Sequence, residues 1–261
     1  APSVLSLSEI LVVLLALGSP INASPAESCR LTSGWESWPP YYYQGPDRKP
    51  IGLDIELTRL IAQHAGCTVN FIQMPWKRQL TELRLGRNVD IVMGASRTPK
   101  REQYARYTDA YRQEVMKLYV RNEDPLYLRF DSFENMIGTG FRLGITRGYY
   151  YGPAFEKAMR NPRFQEQVQV VDTDGQNYLK MELGRIDGFL ADRFSAAELI
   201  RELGPSGWIL PHSLPVHSNR IHLMFSRAVP DDGTLARFNE AIATLRQNGK
   251  LDDLIASYLS Y

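Results

Sequence analysis

Between residues 30 and 93 the apolar residues alternate between strand-like and helix-like spacing, in an order that few folds can use. Residues 30–33 read as a short strand. Gly52-Leu53-Asp54 then opens a helix in which Leu53, Leu57, Leu60, Ile61 and Ala65 recur at helical spacing, and Gly66 ends it at the C′ position. Residues 68–73, β-branched and aromatic, predict a second strand. A helix over 76–85 is closed by Gly86, and 89–93 predicts a third, apolar strand. Strands separated by single helices imply a parallel sheet with right-handed crossovers, so the fold class is α/β.

A second unit repeats that order. Residues 116–120 read as a strand leaving the first unit, and RNEDPLYLRF (121–130) has linker chemistry. Strands are expected over 142–145, 168–171 and 188–191, with helices over 154–160 and 177–183. A strand over 221–225 precedes helices over 234–247 and 251–261, which Asn248-Gly249 separates. The halves echo each other locally: Leu85-Gly86-Arg87-Asn88-Val89-Asp90-Ile91 parallels Leu183-Gly184-Arg185-Ile186-Asp187-Gly188-Phe189. Asp90 and Asp187 are expected to serve these turns. Two similar α/β units joined by linkers predict two lobes with a cleft between them.

Composition narrows the function classes. A chain of 261 residues with a formal charge of +1 has no basic excess for nucleic acid and no acidic tail. The apolar run ILVVLLAL at 10–17 is shorter than the about 20 residues a bilayer-spanning helix needs. With Ala23-Ser24-Pro25-Ala26 after it, the run suits a secretory signal cleaved after Ala23 or Ala26. Glu27 occupies a position where a lipid-attachment box before Cys29 wants a small residue. Cys29 and Cys67 are the two cysteines, and in an exported protein such a pair reads as one disulfide, the alternative being two free thiols. His64, His212, His217 and His222 show no ligand spacing, and no Gly-x-Ser-x-Gly, phosphate loop or Cys-x-x-Cys occurs. Neither a metal nor a cofactor is expected.

In open α/β sheets ligands bind beyond the carboxyl ends of the strands. Here those ends carry Gly34-Trp35-Glu36-Ser37-Trp38-Pro39-Pro40-Tyr41, Met74-Pro75-Trp76-Lys77-Arg78 and Gly94-Ala95-Ser96-Arg97-Thr98-Pro99-Lys100-Arg101. The second unit supplies Thr146-Arg147-Gly148-Tyr149-Tyr150-Tyr151 and Ala191-Asp192-Arg193. Aromatics, hydroxyls, cations and a carboxylate therefore converge on one edge, where residues 94–101 read either as an ordinary solvated turn or as a pocket floor that faces a carboxylate. A planar guanidinium takes a carboxylate bidentately, and a helix start after Gly148 favours the same negative group.

The string WPPYYY…GLDIEL…PWKRQLTELRLGRNVDIVMGASRTPKR…Y, followed by GRIDGFLAD and FNEAIATLRQNGKLDDLIASYL, carries a family resemblance. Over about residues 29–261 the chain resembles the family-3 periplasmic solute-binding proteins, the extracytoplasmic receptors of polar amino-acid ABC transporters. The resemblance implies a two-lobed, type II periplasmic-binding-protein-like fold, its parallel-sheet lobes joined by a two-strand hinge. On that pattern 1–26 is a signal peptide, 27–120 with 219–261 form lobe 1, and 121–218 form lobe 2. By position, Arg101 matches the arginine that clamps the ligand α-carboxylate. Gly94 and Ser96 match its backbone and hydroxyl partners, and Trp38 and Trp76 match aromatic walls. Tyr150 falls where the family often has Thr on the same carboxylate, and Asp192 matches the carboxylate that receives the α-ammonium.

This chain departs from the pattern in one place. Trp35, with Glu36 beside it, stands where the family often has Asp before the Pro-Pro loop, which weakens recognition of an amino group. Arg78 and Arg147 add positive charge near the mouth and suit a ligand with a second acidic group. Tyr41 is a further candidate contact, while part of the Tyr41–Tyr43 and Tyr149–Tyr151 clusters is expected to pack the interlobe surface.

The resemblance implies a periplasmic, monomeric, non-catalytic receptor for an amino acid or related small carboxylate. It would close about the stretches near 118–124 and 213–221 and dock on a membrane permease. Two alternatives stay open. The fold also hosts cyclohexadienyl dehydratases acting on prephenate-like acids, for which Glu36 would be a general acid. Related lobes also serve as ligand-sensing domains, although no apolar span follows the last lobe before Tyr261, so a free receptor is expected.

Overall fold

The computed structural model describes residues 29–122, 130–203, 207–231 and 233–259. The expected signal peptide and most of the expected 121–130 linker lie outside the described residues. The first run is β1 (Cys29–Trp35), a short hairpin of β2 (Tyr43–Gln44) and β3 (Pro50–Ile51), α1 (Leu53–His64), β4 (Cys67–Gln73), α2 (Trp76–Leu85) and β5 (Ile91–Ser96). A single helical turn, α3 (Pro99–Glu102), and β6 (Ala105–Tyr107) precede the long β7 (Arg112–Arg121). The second run holds α4 (Phe133–Met136), β8 (Leu143–Thr146), α5 (Pro153–Ala158), α6 (Pro162–Gln167) and β9 (Val168–Val171). It continues with α7 (Asp174–Glu182), β10 (Gly188–Asp192) and α8 (Arg193–Leu203). Then come β11 (Ile209–Pro211), β12 (His217–Ser226), α9 (Thr234–Gln247) and α10 (Lys250–Leu259).

The strands join in the order β4-β1-β5-β12-β7-β10-β8-β9. β1 runs parallel to β4 and β5, and β8 runs parallel to β9 and β10, as two βαβ units require. β7 and β12 are the antiparallel exceptions at the centre. β12 pairs with β5 at its far end, β7 pairs with β10 over 116–120, and the two pair with each other over 112–116 and 217–221. The crossing therefore lies at 112–116 on the outgoing strand, a few residues before the 118–124 stretch that the sequence suggests. Residues 118–120 are already ladder partners of β10.

The core divides in the same way. One cluster joins β1 and α1 to α9 through Leu31, Leu53, Ile55, Ile61, Phe225, Phe238 and Ile242. A second joins β7, β8 and the α4–α6 region through Leu118, Phe133, Phe141, Leu143, Phe155 and Phe164. Half-buried Tyr149 touches both. The chain thus forms two α/β lobes with a shared pair of strands, and α9 returns to pack on α1. The expected disulfide is present: Cys29 and Cys67 face each other in the β1–β4 register and are bonded.

Candidate functional site

Six of the residues expected at the strand ends meet in one place. Trp38, Trp76, Gly94, Ser96, Arg101 and Tyr150 line a cavity of about 20 Å3 between the lobes, with Tyr42, Glu114, Met116 and Tyr149 completing its wall.

The two arginines of GASRTPKRE separate completely. Thr98 caps α3, its hydroxyl accepting from the Arg101 N–H, and Pro99 occupies the first helical position. That tight turn carries Arg101 back beneath β5, while Arg97 stays outside and pairs with Glu102. Arg101 is 8% exposed, and its guanidinium lies 5.5 Å from the Trp76 ring centroid. It donates to the Ser96 carbonyl and, across the cleft, to the Gly148 carbonyl, each at 3.0 Å. These bonds occupy two of its five N–H groups, and the others have no described partner. Burial lowers its pKa, yet arginine stays charged. Gly148 also accepts from the Trp76 indole at 3.1 Å. Its φ of +79° would strain any other residue there, and a Cβ would stand 3.3 Å from the Trp76 ring.

Gly94 contributes to the wall, but its N–H donates to the Tyr111 hydroxyl at 3.0 Å. No described residue hydrogen-bonds the Ser96 hydroxyl. The tyrosine triplets divide by position: Tyr42 lines the cavity, whereas Tyr41 is fully buried behind it. Tyr149 stands edge-on to Trp38 and Trp76, Tyr150 lines the cavity, and the Tyr151 hydroxyl accepts from the Thr146 N–H inside the second lobe.

Besides Tyr41, three expected residues lie elsewhere. Asp192 does not line the cavity. Its Oδ1 accepts from the Tyr41 hydroxyl at 2.8 Å and from the N–H groups of Phe194 and Ser195, so it caps α8 and ties that helix to the opposite lobe. Arg78 and Arg147 border a neighbouring cavity of about 490 Å3, shared with Glu36, Trp76 and Asp172. There Arg147 pairs with Asp172 at 2.8 Å and Arg78 approaches Glu82 at 3.9 Å.

Strand-end reasoning named Glu36 but missed two other acidic groups of the cleft, Asp174 and Glu114. Asp174, in the first turn of α7, accepts from the Trp38 indole at 3.1 Å and from the Thr146 hydroxyl. Burial pushes its carboxyl up to about 6 against those bonds. Glu36 accepts from the Trp76 N–H at 2.9 Å, and burial, assisted by Asp174 and Asp172, raises it to about 7. Glu36 and Asp174 share a side cavity of about 250 Å3 with Trp38 and Tyr149. Glu114 was detectable as a charged residue within the inward alternation Arg112, Glu114, Met116, Leu118. Among the described residues no group of His, Cys, Asp and Glu is placed to hold a metal ion. A separate groove of about 790 Å3, bordered by Arg193, Arg220 and Arg246, shares no residue with this cavity.

Residues 31–261 match the family described as bacterial extracellular solute-binding proteins, family 3. The L-cystine-binding protein TcyJ of Escherichia coli is 22% identical over 221 residues, which cover 84% of this chain and 77% of the relative. A probable amino-acid ABC transporter-binding protein of Haemophilus influenzae is 20% identical over 225 residues, 86% of this chain and 82% of its own length. A histidine kinase sensor domain described as similar to periplasmic binding proteins superposes with a TM-score of 0.75 at 22% identity, covering 89% of this chain and 96% of its own. The fold is thus shared with that sensor domain.

Proposed function

The chain belongs to the bacterial extracellular solute-binding proteins, family 3, and from that premise we propose that it captures an amino acid or related small carboxylate between its lobes for ABC transport. The observation that carries this reading is Arg101: a buried cation with unused N–H groups, backed by Trp76, facing a small interlobe cavity. Such a group suits a carboxylate bidentately. Trp38, Trp76 and Tyr150 supply the walls, Gly94 and Ser96 the floor.

The expected lobes, 27–120 with 219–261 and 121–218, are kept on this reading with the outgoing boundary moved back to the crossing at 112–116, and α9 packing on α1 supports the return of the chain to the first lobe. Residues 1–26 act as an export signal, and the protein works as a periplasmic monomer that presents its closed form to a permease. The family and the relatives named above are binding proteins, and the ligand leaves unconverted. Arg78 and Arg147, each near a carboxylate, contribute to the cleft mouth rather than to the ligand's innermost contacts.

A thermal-shift panel of amino acids and small carboxylates tests this. A ligand at a hundred times its dissociation constant adds about 2.7 kcal/mol of stability. Arg101→Ala is expected to remove about 2–5 kcal/mol of binding and with it the shift, while the free variant melts cooperatively. A full ligand-induced shift in that variant would sink the carboxylate clamp.

A further inference from the structure

The pleat of β7 turns Arg112, Glu114, Met116 and Leu118 to one side, and all are buried. Arg112 is satisfied by Asp54, and Met116 and Leu118 join an apolar cluster. Glu114 differs. It is 4% exposed, it lines the same cavity as Arg101, and no described residue donates a hydrogen bond to its carboxylate. A carboxyl in so enclosed a place needs a partner when it is charged, and its position in the wall of the ligand cavity points to a donor that the ligand brings. Asp192 is in the opposite condition. The Tyr41 hydroxyl and the Phe194 and Ser195 N–H groups crowd its Oδ1, and the Val115 N–H lies 3.4 Å from Oδ2.

We propose that Glu114, on the strand joining the lobes, receives the ammonium group of the ligand, while Asp192 serves lobe closure and the start of α8. This rests on the reading of the cleft as an amino-acid site with Arg101 on the carboxylate. The ligand would then lie with its amino end at the hinge and its carboxylate end at α3. An acid of the same shape without the amine would lose the hinge contact and keep the other.

Proton linkage gives the assignment a signature. Burial raises the Glu114 carboxyl to about 8; Arg112 lowers it, Asp192 and Asp54 raise it, and Arg101 lowers it. Tyr41 and Tyr151 face it as well. Burial thus favours the protonated form of Glu114 in the free protein, whereas an ammonium requires the carboxylate. Binding near neutrality then releases a proton, and affinity rises with pH until about 8. Glu36 and Asp174 titrate in a neighbouring range, so the share due to Glu114 is the part of the slope that Glu114→Gln abolishes.

The experiment is calorimetric titration of the coded L-amino acids and L-cystine, and of the same acids lacking the α-amine, into four proteins. These are the wild type, Glu114→Gln, Asp192→Asn and Arg101→Ala, each in two buffers of different ionisation enthalpy. The expected result is proton release by the wild type and a loss of at least about tenfold in amino-acid affinity for Glu114→Gln, the scale of one charge-assisted hydrogen bond. Its affinity for the amine-free acid should hardly change, and Asp192→Asn should lose less than Glu114→Gln. Unchanged amino-acid affinity in a folded Glu114→Gln protein, or a larger loss in Asp192→Asn, overturns the assignment. Wild-type binding of amine-free acids but of no amino acid also overturns it and leaves the Arg101 clamp standing. If Arg101→Ala binds as the wild type does, or no probe binds at all, the carboxylate reading falls and the ammonium assignment with it. Should Glu114→Gln not fold, the wild type decides alone: affinity independent of pH below about 8, with no proton released, refutes the proposal.

Discussion

Asp54 and Arg112 form a bidentate pair at 2.7 and 2.8 Å with side-chain exposures of 0% and 1%. The pair fixes more than itself, because the Arg112 guanidinium lies 3.9 Å from the Tyr41 ring centroid and so holds the tyrosine whose hydroxyl reaches Asp192. Burial alone would depress the Arg112 pKa, but Asp54 raises it well above the ordinary value. Removing one charge of such a pair leaves the other uncompensated, at a cost of about 3–5 kcal/mol. Asp54→Asn is therefore expected to lower the melting temperature by roughly 6–20 °C, given about 2–4 °C per kcal/mol for a protein of this size. Replacing both residues with apolar ones of similar volume should cost less than either single change. A single variant melting within 2 °C or so of the wild type would argue that the pair contributes nothing net.

At the level of elements, the disulfide links the starts of two adjacent parallel strands. For a sequence separation of 38, loop-closure entropy predicts about 4 kcal/mol of stabilisation. The double variant Cys29→Ser, Cys67→Ser should show a correspondingly lower urea midpoint, and dithiothreitol should bring the wild type to the same place. Equal midpoints with and without reductant would count against that role. Helix starts decide other features of the cleft. α7 begins at Asp174 and not at 177, because Thr173 and Gln176 form a reciprocal capping box. That earlier start brings the Asp174 carboxylate to the Trp38 indole. α8 begins directly after Asp192 because that carboxylate accepts from the first free N–H groups of the helix. The sequence reading missed α8, although Asp192 followed by Arg-Phe-Ser-Ala-Ala-Glu-Leu-Ile-Arg-Glu-Leu is a legible helix start.

For the molecule as a whole, three carboxyls in the cleft region share one electrostatic condition. Asp174, Glu36 and Glu114 are raised to about 6, 7 and 8, in each case chiefly by burial. A raised folded-state value means that the folded protein holds the proton more tightly than the unfolded chain. The resulting stabilisation is complete below the ordinary carboxylate range, about 4, and is lost as pH climbs through 6, 7 and 8 in turn. Asp187 has the opposite sign: Arg142 outweighs burial and holds it low, so its contribution is present above about 4 and fades only in stronger acid. Calorimetric melting is thus expected to occur at a higher temperature near pH 5 than near pH 8, with Glu114→Gln flattening the upper part of the decline. A melting temperature that climbs steadily across that interval would contradict this account of the cleft.

The main run of strands and helices apart from α8 and the short elements, the two α/β units and the turn at Gly86 were legible in the sequence, because each depends on spacing or on a residue's own backbone preference. Arg101 could be told from Arg97 only by family resemblance, and the structure supplies the reason in the Thr98 cap. Which tyrosine of each triplet faces the cavity depended instead on strand pleat and on packing against distant segments. The same holds for the acids: Tyr41 meets Asp192 across a separation of 151 residues, and Trp38 meets Asp174 across 136. A carboxylate's partners, and so its protonation, are set by such long-range contacts. Asp192 taken up by closure and Glu114 left bare beside Arg101 are for that reason outcomes of tertiary structure alone.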